Sequence, residues 1–385
     1  MSSVVGIICE YNPLHSGHAY HIAESRRLIA AADALIMCVM SGTVTQRGEF
    51  AIVDKYSRAM AAVKAGADIV LELPSEFACA SADIFAAKAL QILNATGVVT
   101  HLSFGCQEGS LDGLCALADL PSLYTNMDGK MPHIQSYAAE FQQYAAEKLP
   151  EHAHLLQDAN NLLAICYLRA LPASIKPIAV TRQGVSHDGG ISGGYASASA
   201  VRELWRSGES EPYSTPEMAA AFAEKEARGL APVMIENNMR GILTVLRSLS
   251  AEQWRTLPDV NQGLEHCFMR AAAESLTLDE LLLAVKSKRY TLARLRRIAM
   301  CAYLGIIKER QQASPEYLRV LALSQAGRGG VKQMHLTAKL PIVTKPANHK
   351  ELLAFESSVT DLAALCRPKI GVVGDEWRRS PYVLT

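Results

Sequence analysis

The sequence has no excess of charge: 38 lysines and arginines stand against 38 aspartates and glutamates in 385 residues. A surface for a polyanion must therefore be a local patch and not a property of the whole chain. No uninterrupted apolar run reaches the ~18 residues that a membrane helix needs, so no membrane association is expected. Met1 to Ile8 lacks the charged start and long apolar centre of a secretory signal, and a cytoplasmic location follows as the expectation. Nine cysteines are scattered, several of them inside apolar runs (Cys9, Cys38, Cys166), and no C-x-x-C pair occurs. An odd number without paired spacing argues against a disulfide framework and against structural zinc. Internal repeats and low-complexity tracts are also missing. What remains is a chain long enough to bury a sizeable core and expected to split into two domains.

The most informative stretch is Val4-Val5-Gly6-Ile7-Ile8-Cys9-Glu10-Tyr11-Asn12-Pro13-Leu14-His15-Ser16-Gly17-His18. Its β-branched apolar run reads as a buried parallel strand that breaks at Asn12-Pro13, since proline cannot donate to a ladder and disfavours a helical residue before it. Ala19 to Ala32 then shows apolar residues at helical spacing. Two imidazoles thus sit where a strand hands over to a helix N-terminus. Backbone N–H groups there, the positive dipole end and the close approach allowed by Gly17 all favour an anion.

The first half goes on alternating. Ala34 to Met40 reads as a second strand, Ser41 to Asp54 as a polar loop, Lys55 to Ala65 as a helix, and Asp68 to Leu73 as a third strand. Ser81 to Asn94 is a helix and His101 to Gly105 a fourth strand; Gln157 to Leu171 is a helix and Ile175 to Thr181 another strand. Strands spaced by helices imply a doubly wound parallel sheet, in which ligands bind beyond the carboxyl ends of the strands.

These motifs resemble a known family. His15-Ser16-Gly17-His18 is similar to the H-x-G-H signature of the nucleotidyltransferases and class I aminoacyl-tRNA synthetases. Glu10-Tyr11-Asn12-Pro13, Gln46-Arg47-Gly48-Glu49, Asp54-Lys55, Gly66 to Pro74 and Phe104-Gly105 narrow the resemblance to the bacterial tRNA(Met) cytidine acetate ligases. The resemblance implies ATP as substrate, magnesium with the nucleotide, acetate as the group activated and elongator tRNA(Met) as the acceptor. It puts His15 and His18 on the phosphates and Ile7-Ile8-Cys9-Glu10-Tyr11-Asn12-Pro13-Leu14, Ser16-Gly17 and Ala19-Tyr20 around ATP. Lys55 or Arg47 would neutralise developing phosphate charge, although such a loop is otherwise ordinary solvated surface. Gly105 would let a flat ring lie against the backbone, or be a plain turn glycine.

An ATP-contacting asparagine is implied at Asn160, with Asn161 as the alternative and simple N-capping as the competing reading. Arg182 is implied as a further ATP contact, while Ser186 stands where many members have tyrosine and leaves His187 without a clear role. Ser197 and Ser199 open another helix, Tyr195 to Arg202, and resemble the serine-rich phosphate loop of nucleotidyltransferases; helix capping is compatible with that. No K-M-S-K-S-like segment occurs, which disfavours a synthetase proper.

Gly, Ser, Glu and Pro cluster at Ser207 to Pro216, dividing the chain into an ATP-binding α/β domain of the nucleotidyltransferase kind, 1–210, and a mainly helical domain, 211–385. Pro216 to about Leu323 reads as helical throughout, with one run from Leu278 to Ile307, and a further helix is expected near His349 to Cys366. The segment from Lys286 to Arg297 holds six basic residues and no acidic one: Lys286, Lys288, Arg289, Arg294, Arg296 and Arg297. Leu292, Leu295 and Ala299 keep an apolar stripe, so the arginines are expected to face outward. That face is either solvated surface or a track for tRNA phosphates. The activity that the resemblance implies is activation of acetate as acetyladenylate and its transfer to N4 of the wobble cytidine. An adenylyltransferase acting on a phosphorylated small molecule and a non-catalytic nucleotide- or RNA-binding module are the rivals. Oligomeric state is not readable from the sequence.

Overall fold

The computed structural model describes residues 3–29, 33–106, 111–121, 137–182, 190–192, 195–209, 211–261 and 263–385. Five strands form the parallel core of one sheet: β1 (Val4–Cys9), β2 (Leu35–Ser41), β3 (Ile69–Leu73), β4 (His101–Cys106) and β5 (Lys176–Thr181). Their spatial order is β3-β2-β1-β4-β5, with Val4 opposite Leu35, Val5 opposite His101 and His101 opposite Lys176. The chain builds outward from β1 on one side and then crosses to begin again at β4. Between β1 and β4 lies the switch point, where a crevice opens past the carboxyl ends of the strands.

The strands are mostly apolar because both faces are covered. Val4, Met37, Val39, Leu71 and Leu102 join one core, packed against α3 (Ala82–Ala95) and α4 (Ala159–Ala170). Val5, Ile7, Cys38, Met40 and Val70 join the other, packed against α1 (Ser16–Ile29), α2 (Lys55–Lys64), α5 (Ala198–Ser207) and α6 (Pro216–Ala227).

The stretch from Pro216 to about Leu323 departs from the expectation of continuous helix at its end. Leu318–Leu323 is a strand, β6, antiparallel to β3, and β7 (Ile342–Val343) and β8 (Tyr382–Val383) both pair with it in parallel. All six residues of β6 are buried. A short, wholly buried run, apolar except for Arg319, has neither a period of 2 nor of 3.6 to betray it, so periodicity cannot tell it from a buried helix. The helical residues between α6 and β6 have their own core around Trp254, Phe268 and Leu281, which also takes in Val44, Phe50 and Cys79 from the first half. The run from Leu278 breaks into α7 (Leu278–Val285) and α8 (Leu292–Leu304), with Lys286 to Thr291 between them. Near the C-terminus the helix α9 covers Ala354–Ala364.

Candidate nucleotide site

β1 ends at Cys9, and the chain turns through Glu10, Tyr11, Asn12 and Pro13 into α1. Tyr11 is a non-glycine residue at φ 45°, a conformation that costs on the order of 1 kcal/mol or more and persists only where surroundings over-determine it. Here its ring is 1% exposed and its hydroxyl lies 3.5 Å from Cys38 Sγ. Asn12 is braced twice: its Oδ1 accepts from Ile52 N–H at 2.8 Å, and its carbonyl accepts from Arg202 Nη1 at 2.7 Å. Arg202 belongs to α5, so one guanidinium ties the histidine turn to the serine-rich helix. Thr215 N–H donates to Leu14 O and Ser16 N–H to Tyr213 O, making residues 213–215 a strap across the turn.

The two histidines stack, with ring centroids 3.8 Å apart. His15 Nδ1 accepts from Gly17 N–H at 3.1 Å and His18 Nδ1 accepts from His15 N–H at 3.3 Å. An imidazole nitrogen that accepts carries no proton, so in both neutral rings the proton sits on Nε2 as a donor. Sequence reasoning placed bare backbone N–H groups here. Instead Ser16, Gly17, His18 and Ala19 all donate within the protein, which leaves the imidazoles and the dipole as what α1 could offer an anion. Ala19 and Tyr20 follow in the first turns of α1, both half-buried.

α5 is different. Ser197 caps it by accepting from Ala200 N–H at 3.2 Å, and Ser199 Oγ accepts from Arg202 Nη2 at 3.1 Å. The N–H groups of Ala198 and Ser199 have no partner among the described residues. This is a helix start with donors to spare, fixed beside the histidine turn.

Gly105, the next-to-last residue of β4, lies under the side chain of Arg182: a Cβ at Gly105 would lie 3.1 Å from Arg182 Cγ. What crosses this glycine is thus the Arg182 side chain, whose backbone N–H donates to Cys106 O at 2.9 Å. Burial pulls the Arg182 guanidinium down and the nearby Asp158 carboxylate opposes it. Asp158, not an asparagine, caps α4, accepting from the N–H groups of Asn160 and Asn161. Asn161 is 2% exposed and its amide donates to Leu155 O, whereas Asn160 stays half-buried with its amide against Asp158. The geometry therefore favours Asn160 as the residue facing the crevice. His187 lies outside the described residues.

His21, one turn past His18, was not singled out by the sequence, although the spacing His15, His18, His21 runs at three residues throughout. Its Nε2 sits 3.0 Å from Ser103 Oγ on β4, and Ser25 Oγ lies 2.7 Å from the same oxygen. Burial, then the charge of Arg182, pull its pKa down to about 4, so the ring is neutral at neutral pH.

Lys55 is not at the crevice. Its ammonium is 2% exposed and bound by Glu72 at 2.5 Å, Glu376 at 2.8 Å and Glu356 at 3.7 Å. A cation so neutralised has nothing left for a phosphate, and the role expected of it is corrected to a structural one.

The basic run is also rearranged. Lys286 and Lys288 are exposed in the break between α7 and α8, and Arg289 lies over the Tyr290 ring. Arg294 stacks on the other side of the run against Tyr290 and donates to Asp259 O. Arg296 does not face outward: it holds Glu49 at 2.8 Å, and Arg206 reaches the same carboxylate at 3.5 Å. Arg297 packs on the same loop, its backbone N within 2.7 Å of where a Cβ of Gly48 would stand. At φ 74° and in that contact, position 48 accepts only glycine.

Among the described residues no group of three or more His, Cys, Asp or Glu side chains could hold a metal ion, and no helix is long and apolar enough to cross a membrane. A sequence profile of the family described as HIGH Nucleotidyl Transferase matches residues 1–372. A protein from Acetivibrio thermocellus named tRNA(Met) cytidine acetate ligase is 32% identical over 416 aligned residues, covering 99% of this chain and 100% of the relative. A protein of the same name from Thermoanaerobacter sp. is 33% identical and covers 96% of this chain and 97% of its own. Two crystal structures of Thermotoga maritima TmcAL superpose over 99% of both chains. The apo form does so with a TM-score of 0.91 at 28% identity, and the form bound with alpha-thio ATP with 0.89 at 27%.

Proposed function

The chain belongs to the HIGH nucleotidyl transferase family, and on that premise we infer that it is an ATP-dependent tRNA(Met) cytidine acetate ligase. The observation that carries this is the coincidence of two facts. A histidine turn and a donor-bearing helix start meet at the switch point of the sheet, and the fold matches, end to end, a TmcAL that binds alpha-thio ATP. In this reading ATP lies across the crevice, with its triphosphate between His15, His18 and the start of α5, and with Asn160 and Arg182 on the β4–β5 side. An acetate oxygen attacks the α-phosphorus, pyrophosphate leaves, and the Nε2 donors meet the charge that develops on it. Acetyladenylate then gives its acetyl group to N4 of the wobble cytidine. Magnesium enters on the phosphate oxygens of the nucleotide, a mode that needs no protein cage. The setting is the cytoplasm, where the tRNA is.

Pyrophosphate exchange into ATP that depends on acetate, followed by acetylation of elongator tRNA(Met), tests the reading. Exchange that requires a phosphorylated acceptor instead, or none at all, overturns it in favour of an adenylyltransferase or a binding module.

The tRNA contact is assigned to Lys286 and Lys288, the members of the basic run left exposed, with Arg289 beside them. Reversing Lys286 and Lys288 to glutamate is expected to weaken tRNA binding and to reduce the slope of log affinity against log salt by roughly 0.7–0.9 for each phosphate no longer neutralised. Acetate-dependent exchange should persist. Arg296 is a poor probe of the same idea, because a carboxylate there would be pushed against Glu49 and disturb the loop it holds. If affinity and salt slope are unchanged, the run is solvated surface.

A further inference from the structure

Acetyl transfer must remove a proton from the cytidine N4, and the geometry points to Glu10 as the carboxylate that takes it; this rests on the ligase reading above. Glu10 is the first residue past β1, at the mouth of the crevice where the α-phosphate and its acetyl group must lie. Its backbone is fixed, since its carbonyl accepts at 2.6 Å from Arg58, a guanidinium with no exposed surface. Its side chain is fixed through one oxygen only. Gln46 N–H at 2.7 Å and the Ser41 hydroxyl at 3.3 Å both donate to Oε1. Oε2 has no hydrogen-bond partner among the described residues, and Glu10 is only half-buried. One oxygen anchored and the other open is the arrangement of an oriented base.

The nearby imidazoles do not suit the task. His15 and His18 already accept at Nδ1 and present protons at Nε2, and His21 has its Nε2 turned to Ser103. The loop that anchors Glu10 is itself held in place. It is closed by Thr45 N–H to Glu49 O at 2.9 Å and Gly48 N–H to Thr45 O at 3.0 Å. Through Glu49 it is clamped by Arg296 of α8 and Arg206 of α5. The base is thus held by the same loop that joins the helical region to the phosphate-binding helix.

In the step, the N4 lone pair forms the N–C bond to the acetyl carbon. The C–O bond to the adenylate breaks with its electron pair leaving on AMP, and one N4 proton passes to Glu10 Oε2 and then to solvent.

Glu10→Gln keeps the volume and an acceptor for Gln46 and Ser41 while abolishing the base. Single-turnover acetylation of tRNA(Met) from acetyladenylate is expected to fall ~100-fold or more. Trapping of acetyladenylate by hydroxylamine, which needs no enzymic base, reports any effect of Glu10 on ATP binding and activation separately, and transfer is expected to fall at least ~20-fold further than trapping. The native transfer rate should rise with pH along an acid limb that the variant lacks. Transfer kept within roughly 5-fold of native, a pH profile identical in both proteins, or loss of trapping in parallel with transfer would each overturn the assignment. If the native protein forms no acetohydroxamate, the ligase reading itself fails, which is a different result from a failure of Glu10 alone.

Discussion

His18→Ala is expected to reduce acetate-dependent ATP–pyrophosphate exchange on the order of 100-fold or more while leaving the melting temperature close to native, because a donor aimed at a leaving pyrophosphate matters where charge develops. The two histidines separate cleanly. His18 is only half-buried, and its contacts include a stack on His15, an edge contact to Tyr11 5.0 Å away and one acceptor for His15 N–H. His15 has the same stack, but its Nδ1 also accepts from Gly17 N–H, and it is paired through its backbone to the strap at Ser214. His15→Ala therefore removes a helix cap as well as a donor, and should lower stability by about 1 kcal/mol besides losing exchange. Exchange rates with thermal melts on both variants decide it. If His18→Ala exchanges at the native rate, the histidines are structural and the phosphate site must be rebuilt around α5.

How much of this was legible beforehand depended on what kind of signal each element leaves. The parallel strands and their helices were readable because apolar runs alternate with amphipathic ones, and the histidine turn because proline and glycine mark where backbone geometry changes. β6 was not, since six buried residues have no period. Lys55 was misread for another reason. Spacing places it at a helix start beside charged neighbours, but the partners that consume its charge come from 17 to 321 residues away, at Glu72 and Glu376. The same holds for Arg296, whose helical spacing says outward and whose partner, Glu49, is 247 residues earlier. Patterns along the chain report faces; they do not report who stands opposite.

Lys55→Met is expected to cost about 3–5 kcal/mol of stability, the usual penalty for removing one partner from a buried ionic network. Two cations, Lys55 and Arg319, are enclosed with Glu72, Glu356 and Glu376, all at or below 2% exposure, and Arg319 bonds Glu72 at 3.1 Å and Glu376 more closely still. Negative charge is already in excess there. Burial, then the Glu72 charge, push Glu356 up to about 7; burial, then Glu356, push the neighbouring Glu76 up to about 8. Both values lie above the 4.5 of an unfolded chain, so the folded state holds the extra protons and the stability linked to them is lost progressively as pH rises from 4.5 to about 8. His21 has the opposite sign, its contribution being lost as pH falls from 6.5 through about 4, so it offsets the decline below pH 6.5 and leaves it unmasked in the alkaline window from 6.5 to about 8. Urea unfolding of the native protein on either side of that alkaline window should show stability falling with pH. Glu76→Gln should flatten the fall, and Lys55→Met should deepen it, since Lys55 is the cation that holds Glu356 down. This network joins α2 and β3 to α9 and the C-terminal residues, so its failure should also free the last strands from the sheet. A Lys55→Met protein that unfolds at native urea concentrations but needs more ATP for exchange would reverse the assignment and return Lys55 to the phosphates.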